Sequence, residues 1–211
     1  MRYYPRSLGL PDKYSKSLKA QYRIWSQTAV YRKVTSAIRR YKPEVIVTQD
    51  VNGEYGHGAH RACADAVMVC NSYAADSMRW PDSVQAYGIW QAKKVYIHLY
   101  KENQIHMDWN RRLQAYSGRT AIDVATEALE CHVSQTARGW TMSKADGHDN
   151  ALFGLYYTSV GQDVAKNDFM EHIEGAVSGK QYDSTLEADE PDEVLLIHDD
   201  ELYPDTEDAA L

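Results

Sequence analysis

The chain has 211 residues, of which 44% are hydrophobic and 25% charged, and its formal net charge is −7. This length and composition are those of one ordinary globular domain. The negative charge argues against a protein built to bind nucleic acid or an anionic membrane surface, because both require a basic face. Residues 187–211 hold eleven Asp and Glu and no Lys or Arg, so the rest of the chain carries +4.

This uneven charge predicts a folded domain over residues 1–180 and an acidic tail or linker over 181–211. The three cysteines form no C-x-x-C pair, so neither a disulfide framework nor a structural zinc knuckle is predicted. No apolar run reaches the length of a membrane span, and the first residues lack the apolar stretch of a signal peptide. Cytoplasmic is therefore the default location, and the compartment stays open.

The first predicted elements are a helix and a strand. Apolar residues recur at three- to five-residue steps over residues 19–41, with basic residues between them, which predicts one amphipathic helix. Pro43 ends this helix. Residues 45–48 are a β-branched run without polar alternation, which is typical of a strand buried on both faces of a parallel sheet.

A loop rich in turn residues follows over 49–56, and a second helix is predicted from near Gly58 to about Ala75. This order predicts an α/β fold, a Rossmann-like parallel sheet with flanking helices. The reactive site of such folds lies at the carboxyl ends of the strands, which places it at the loop over 49–60. Further along we predict a strand over 95–100, a helix over 119–132, a compact segment over 153–157 and a short helix over 168–173.

Two histidines, His57 and His60, lie three residues apart at the predicted start of the second helix. This spacing points both rings to the same side, so one could bind a metal while the other donates a hydrogen bond or a proton beside it. The helix amino terminus adds partial positive charge, which favours an oxyanion. The plain alternative is that His57 caps the helix and His60 lies on the surface, since a zinc site needs three or four ligands.

The residues around these histidines resemble a known family. Residues 40–48, followed by Asp-Val-Asn-Gly-Glu-Tyr-Gly-His-Gly-Ala-His over 50–60, resemble the second motif of the LmbE/PIG-L deacetylases, in which a strand ending in Thr leads into a GxYGHPDH loop. Weaker similarities follow in the family's order at 94–100, at 131–135, which resembles H-x-SQ, and at 153–155. The similarity covers roughly residues 8–175 and implies an LmbE-like, Rossmann-like fold.

The resemblance implies a zinc-dependent hydrolase that removes the acetyl group from an N-acetyl amino sugar or a sugar-derived substrate. Family members bind one zinc ion through a His and an Asp of an early HPDDE motif and a His of the second motif. On that pattern His60 is the zinc ligand, His57 is the acid that assists the leaving amine, and Tyr55 donates a hydrogen bond to the oxyanion. His132 and Gln135 are implied as substrate contacts, with a structural role equally open.

Two departures from the family pattern bear on activity. The family's Asp before the second histidine is Ala59 here, so another group, with Asp50 as the candidate, must orient a histidine. No HPDDE motif precedes residue 49, so we expect an amino-terminally truncated domain that lacks its first strand, two zinc ligands and the general base. Residues 197–201, Ile-His-Asp-Asp-Glu, resemble this motif only superficially, because the proline is absent and they lie in the acidic tail.

Two alternatives to an active deacetylase stay open. One is an inactive fragment or pseudoenzyme that binds a sugar or a partner protein without turnover. The other is a different metallohydrolase that uses His57 and His60 together, which needs two further ligands that no spaced set of residues suggests. The remaining histidines considered stand alone and are interpreted as structural or exposed: His98, His106, His148 and His172.

A parallel sheet without its first strand exposes an edge and apolar surface. We therefore predict that the purified chain is poorly soluble or self-associates through that edge, which sedimentation over a series of protein concentrations measures. A monomer that melts sharply and cooperatively at every concentration would contradict this prediction.

Overall fold

The computed structural model describes residues 8–142 and 149–174. One compact unit contains every helix and strand described below. The predicted acidic tail, the segment 197–201 and His148 lie outside the described residues. Within the described ranges, no helix combines the length and the apolar character needed to cross a membrane.

Two helices replace the single one predicted over 19–41. α1 spans Leu18–Ile24 and α2 spans Gln27–Tyr41. The prediction was wrong at Trp25 and Ser26, because both residues have extended backbone dihedrals. The Ser26 hydroxyl accepts a backbone N–H from the first turn of α2, so it starts a new helix where the apolar pattern alone continues.

The predicted strand, loop and second helix are confirmed as β1 (Val45–Thr48), a 3₁₀ turn at Glu54–Gly56 and α3 (Gly58–Ala75). The predicted helix over 168–173 was wrong, because the side chain of Asp168 accepts the Met170 N–H and holds a turn instead. The other elements are α4 (Pro81–Tyr87), β2 (Lys94–His98), β3 (Gln104–His106), β4 (Arg112–Leu113), a 3₁₀ turn (Gln114–Tyr116), β5 (Arg119–Thr120), α5 (Ala121–Glu130), α6 (Val133–Thr136) and β6 (Leu152–Thr158).

The main sheet is mixed rather than wholly parallel. Its strand order is β1-β2-β6-β3, and only the β1–β2 pair is parallel, while β6 runs antiparallel to both β2 and β3. The predicted Rossmann-like parallel sheet is therefore not confirmed, and the fold is a mixed α/β fold with one parallel strand pair. β4 and β5 form a separate two-stranded ribbon.

The prediction that β1 is buried on both faces was wrong, and β2 is the strand whose residues are all buried. All five residues of β2 are buried, because β1 and β6 flank it. β1 lies at the edge of the described sheet, and the side chain of Val47 is 43% exposed. The β-branched run therefore indicated a strand correctly but not the burial of both its faces.

Two apolar clusters cover the sheet. Ile46 packs in the cluster that contains Ile38 of α2 and Cys70 of α3. Val45 packs in the other cluster, around Tyr96 of β2. Because neighbouring strand residues point to opposite faces, the two clusters lie on opposite sides of β1, with α2 and α3 on one side. This packing holds the second half of α3 against β1.

Arg39 of α2 holds the other end of α3. Its guanidinium is fully buried and donates hydrogen bonds of 2.5–3.2 Å to acceptors in and after the last turn of that helix. Helix ends leave carbonyls without partners, and Arg39 supplies donors for them. The acceptors are the carbonyls of Tyr73, Ala74, Asp76, Arg79 and Trp80 and the hydroxyl of Ser83.

The segment after β6 is fastened to β2 by buried charge. The Lys94 ammonium and the Asp163 carboxylate, both 0% exposed at their side chains, form an ion pair. The Tyr96 hydroxyl donates to the same carboxylate at 2.5 Å, and Lys94 also donates to the Glu171 carbonyl at 3.0 Å. These contacts satisfy the buried lysine and hold residues 163–171 against the sheet.

Replacing Arg39 by Lys should destabilise the protein strongly. The lysine keeps the charge but loses the planar fork, so several buried carbonyls lose their donors. We expect the free energy of unfolding to fall by about 3–5 kcal/mol, measured by urea denaturation. The matched control is Arg40→Lys at the next, half-buried position, which should cost less than about 1 kcal/mol. Equal effects of the two changes would contradict the role given to Arg39.

Candidate active site

The loop over 49–60 begins with a turn that Asp50 builds. Its buried carboxylate accepts the backbone N–H of Asn52 at 2.9 Å and the side-chain amide of Asn52 at 3.2 Å. The Asp50 carbonyl accepts the N–H of Gly53 at 2.8 Å. The prediction that Asp50 acts in catalysis or orients a histidine stays untested, and the contacts seen give this carboxylate a role in shaping the loop.

Gly53 is required for the tight path of this loop. Its φ is +75°, and a Cβ there would lie 2.5 Å from the His57 carbonyl oxygen and 2.7 Å from the Arg61 side chain. Any larger residue would push the loop away from the start of α3. The close approach therefore depends on glycine at this position.

His57 caps α3. Its Nδ1 accepts the N–H of Ala59 at 3.1 Å, so the ring carries its proton on Nε2. The His57 and His60 rings lie 5.2 Å apart between centroids, as expected from their spacing. The helix cap uses Nδ1 of His57, as the plain alternative had it. The predicted functional role would use Nε2 of the same ring.

His60 is oriented by Gln49, which was not among the predicted site residues. The Gln49 side-chain oxygen lies in hydrogen-bonding contact with Nδ1 of His60, which places the proton on Nδ1 and leaves the Nε2 lone pair. Burial, and then the neighbouring His57, lower the pKa of His60 below its ordinary value, although Glu54 acts in the opposite sense. His60 is therefore neutral at neutral pH, which is the state that a metal ligand requires.

β1, the loop and most of α3 lie in a segment that is similar to a known protein family. The family model described as PIG-L, GlcNAc-PI de-N-acetylase, matches residues 4–71. Over these residues the chain is similar to the PIG-L family. No curated protein matches the chain.

The PIG-L match covers part of the predicted resemblance. It contains β1, the loop with His57 and His60, and most of α3. The weaker similarities at 94–100, 131–135 and 153–155 lie outside the matched residues. The identification therefore depends on the loop over 49–60 and the elements before and after it.

Tyr55 has an unusual backbone conformation and lies in the loop over 49–60, which we call the PIG-L loop. Its φ and ψ are 57° and 22°, the left-handed region, and its side chain is 46% exposed. Its ring meets the edge of Trp140 at 4.9 Å between centroids. The phenol therefore projects from the loop two residues before His57, with Trp140 beside it.

The two implied substrate contacts fall in and before α6. His132 is exposed and precedes α6 without a side-chain capping bond. Gln135 is half-buried, and its carbonyl accepts the N–H of Trp140 at 3.3 Å. Gln135 is thus linked to the PIG-L loop indirectly, because it holds Trp140, whose ring contacts Tyr55. Among the described residues, no hydrogen bond or ring contact links His132 to the loop. Their roles in substrate binding stay predictions.

Beneath the loop lies an ion pair that the sequence did not indicate. His98, 6% exposed at the end of β2, contacts the Glu54 carboxylate with Nδ1 at 2.7 Å and the Asp149 carbonyl with Nε2 at 2.8 Å. Both partners only accept hydrogen bonds, so both ring nitrogens donate and the ring is positively charged. The Asp50 N–H donates to the same Glu54 oxygen at 3.1 Å. The loop is therefore tied to the central strand.

Two effects oppose each other at the pKa of His98. Burial lowers it, but the hydrogen bonds to Glu54 and to the Asp149 carbonyl, with the charges of Glu54 and Asp50, raise it above its ordinary value. The interpretation of His98 as structural is consistent with this geometry. Its position under the loop was not visible in the sequence, because no local pattern connects residue 98 to residue 54.

The described residues do not fit a zinc site by themselves. Within 8–142 and 149–174, no group of three His, Cys, Asp or Glu side chains is arranged to hold a metal ion. His60 offers one free lone pair, and Nδ1 of His57 is already used by the cap. Zinc needs three protein ligands even in an open catalytic site. The predictions of zinc and of an incomplete site both stay untested.

The His98–Glu54 ion pair should make stability depend on pH. Because the folded state raises the pKa of His98, its contribution is fully present below the unfolded pKa and is lost as pH rises through the folded value. We expect His98→Asn to lower the free energy of unfolding by about 2 kcal/mol at about pH 5.5 and by less at about pH 9. Denaturation of wild type and variant at both pH values measures this.

The control for that experiment is His106→Asn. His106 contacts the Asp149 carboxylate at 2.9 Å but is 62% exposed, so its removal should change stability little at either pH. An effect of His98→Asn that is constant with pH would show that His98 is not charged in the folded protein.

Proposed function

We propose that this chain acts in the removal of an acetyl group from an N-acetyl amino sugar, with the PIG-L loop supplying His57 and His60. PIG-L family members are de-N-acetylases, which supports the reaction class. The observation that carries the proposal is the pair of half-buried rings 5.2 Å apart, each with one nitrogen fixed by the fold. Fixed tautomers at the start of a helix are what a preorganised site requires.

His57 is proposed to stabilise the oxyanion that forms when water attacks the acetyl carbonyl. Its Nε2–H is the available donor, because Nδ1 accepts the Ala59 N–H. The amino terminus of α3 favours the same negative charge. Full proton transfer to the leaving amine would need a proton on Nδ1 as well, and that proton would displace the capping bond. A hydrogen-bond donor is therefore the role that fits the resting geometry.

His60 is proposed as the one zinc ligand that the described residues contribute. Its neutral state and its Nε2 lone pair suit that role. The other ligands and the general base would then come from outside the described residues, since these contain no three-ligand group. Bound zinc would supply a polarised carbonyl and an activated water, as in other zinc hydrolases.

The test measures acetate release and zinc content together. The purified chain is supplied with zinc and an N-acetylglucosamine glycoside, and wild type is compared with His57→Asn. Asn is a good helix cap, so this variant keeps α3 while it removes the imidazole. We expect kcat to fall about 100-fold or more with an unchanged melting temperature. The control is His106→Asn, which should release acetate at the wild-type rate.

Zinc analysis of His60→Ala separates the outcomes. One zinc ion per wild-type chain, lost in His60→Ala, would place the missing ligands in this chain outside the described residues. A His57→Asn variant with wild-type acetate release would refute the role of His57. Failure of both wild type and His60→Ala to bind zinc, with no acetate released, would refute catalysis by this chain alone.

A sugar- or protein-binding module without turnover is the second candidate function. Two observations favour it: the described residues contain no three-ligand group, and Ala59 occupies the position of the family's orienting Asp. The second candidate predicts glycoside binding that needs no added zinc, whereas an enzyme predicts acetate release.

A further inference from the structure

Exposed aromatic rings lie beside the histidine pair. The Tyr14 ring is 64% exposed and meets the edge of His57 at 4.9 Å between centroids. Tyr55 is 46% exposed and makes the edge contact with Trp140 described above. Exposed rings that gather beside a candidate site, rather than singly on the surface, indicate a binding surface.

The Tyr14 ring is held in place by the segment that follows it. The Ser15 carbonyl accepts the N–H of Gly58 at 2.8 Å, and the Ser15 hydroxyl contacts the Gln21 side chain at 2.7 Å. A Cβ on Gly58 would lie 2.0 Å from that hydroxyl. Glycine at the start of α3 therefore lets this segment pack directly on the helix, which fixes Tyr14 next to His57.

Trp140 reaches the loop from a distant part of the chain. Its N–H bonds to the Gln135 carbonyl in α6, and its half-buried ring contacts Tyr55, 85 positions earlier in the sequence. The contact between centroids is 4.9 Å with an interplanar angle of 65°. Tyr14 and Trp140 thus bring aromatic surface to the same loop from distant parts of the sequence.

We propose that Trp140 and Tyr55 form a stacking subsite for the pyranose ring of the substrate, with Tyr14 as a second aromatic contact beside His57. This inference deepens the proposed function and rests on it for the class of sugar. A pyranose ring has an apolar C–H face and a rim of hydroxyls, and Tyr and Trp offer a flat apolar face with a polar edge. A few separate rings suit a single sugar better than a protein partner, whose interface needs about 800 Å² on each side.

The subsite gives Gln135 a positioning role. Its carbonyl holds the Trp140 backbone, so the part of the chain that resembles H-x-SQ would act on the substrate through Trp140 rather than by direct contact. Trp140 then determines affinity for the sugar and not the chemical step, because it contacts neither His57 nor His60 among the described residues. A substitution at Trp140 should therefore change KM and leave kcat nearly unchanged.

Binding of methyl N-acetyl-glucosaminide, measured by saturation-transfer NMR and titration, tests the subsite without any requirement for turnover. We expect Trp140→Ala to weaken binding about tenfold and Trp140→Phe, which keeps an aromatic face, to stay within about threefold of wild type. Trp109 is a half-buried tryptophan between β3 and β4, outside the proposed subsite, so Trp109→Phe serves as the control and should bind like wild type. Melting temperatures of all variants verify that each one is folded.

Three results would overturn the subsite: no binding of the glycoside by the wild-type chain, equal binding by wild type and Trp140→Ala, or equal losses in Trp140→Phe and Trp140→Ala. The subsite and the proposed function fail separately. Acetate release with an unchanged KM in Trp140→Ala would refute the subsite and leave the function intact. Trp140-dependent binding without acetate release would support the subsite and favour the binding module over the enzyme.

Discussion

The arrangement of the PIG-L loop depends on one partly buried carboxylate. Glu54 accepts hydrogen bonds from the Asp50 N–H and from the charged ring of His98, so it joins the loop to the central strand of the sheet. Tyr55 follows directly in a left-handed conformation that non-glycine residues rarely adopt without support. The positions of Tyr55 and of His57 at the start of α3 therefore depend on the His98–Glu54 ion pair.

The sequence predicted the parts of this site whose signals are local. The β-branched strand, the turn residues and the spacing of His57 and His60 gave β1, the loop and α3 at nearly their observed bounds. The break at Ser26 was missed because a single capping serine interrupts an apolar pattern that continues across it. The antiparallel pairing of β6 was missed because strand pairing is decided by long-range packing, which local pattern does not encode.

The partners of the histidines show the same limit. The sequence suggested Asp50 as the group that orients a histidine, whereas Gln49, one residue earlier, contacts His60. Side chains in a loop have no regular direction, so the sequence does not tell which of two neighbouring residues, Gln49 or Asp50, faces α3. His98 and Trp140 were missed for a stronger reason: they meet the loop from 44 and 85 positions away, at His98–Glu54 and Trp140–Tyr55.

Gln49 would also determine how strongly His60 could bind the zinc ion of the proposed function. A carboxylate bonded to Nδ1 would place negative charge behind the ring and raise the basicity of Nε2, whereas the Gln49 amide orients the ring without that charge. Burial lowers the pKa of His60 further. His60 is thus an oriented but weak base, which would add little to capturing a metal ion and would suit one already held by stronger ligands. On the proposed function, the loop would form the second half of a metal site, and its metal affinity would depend on the residues that supply the first half.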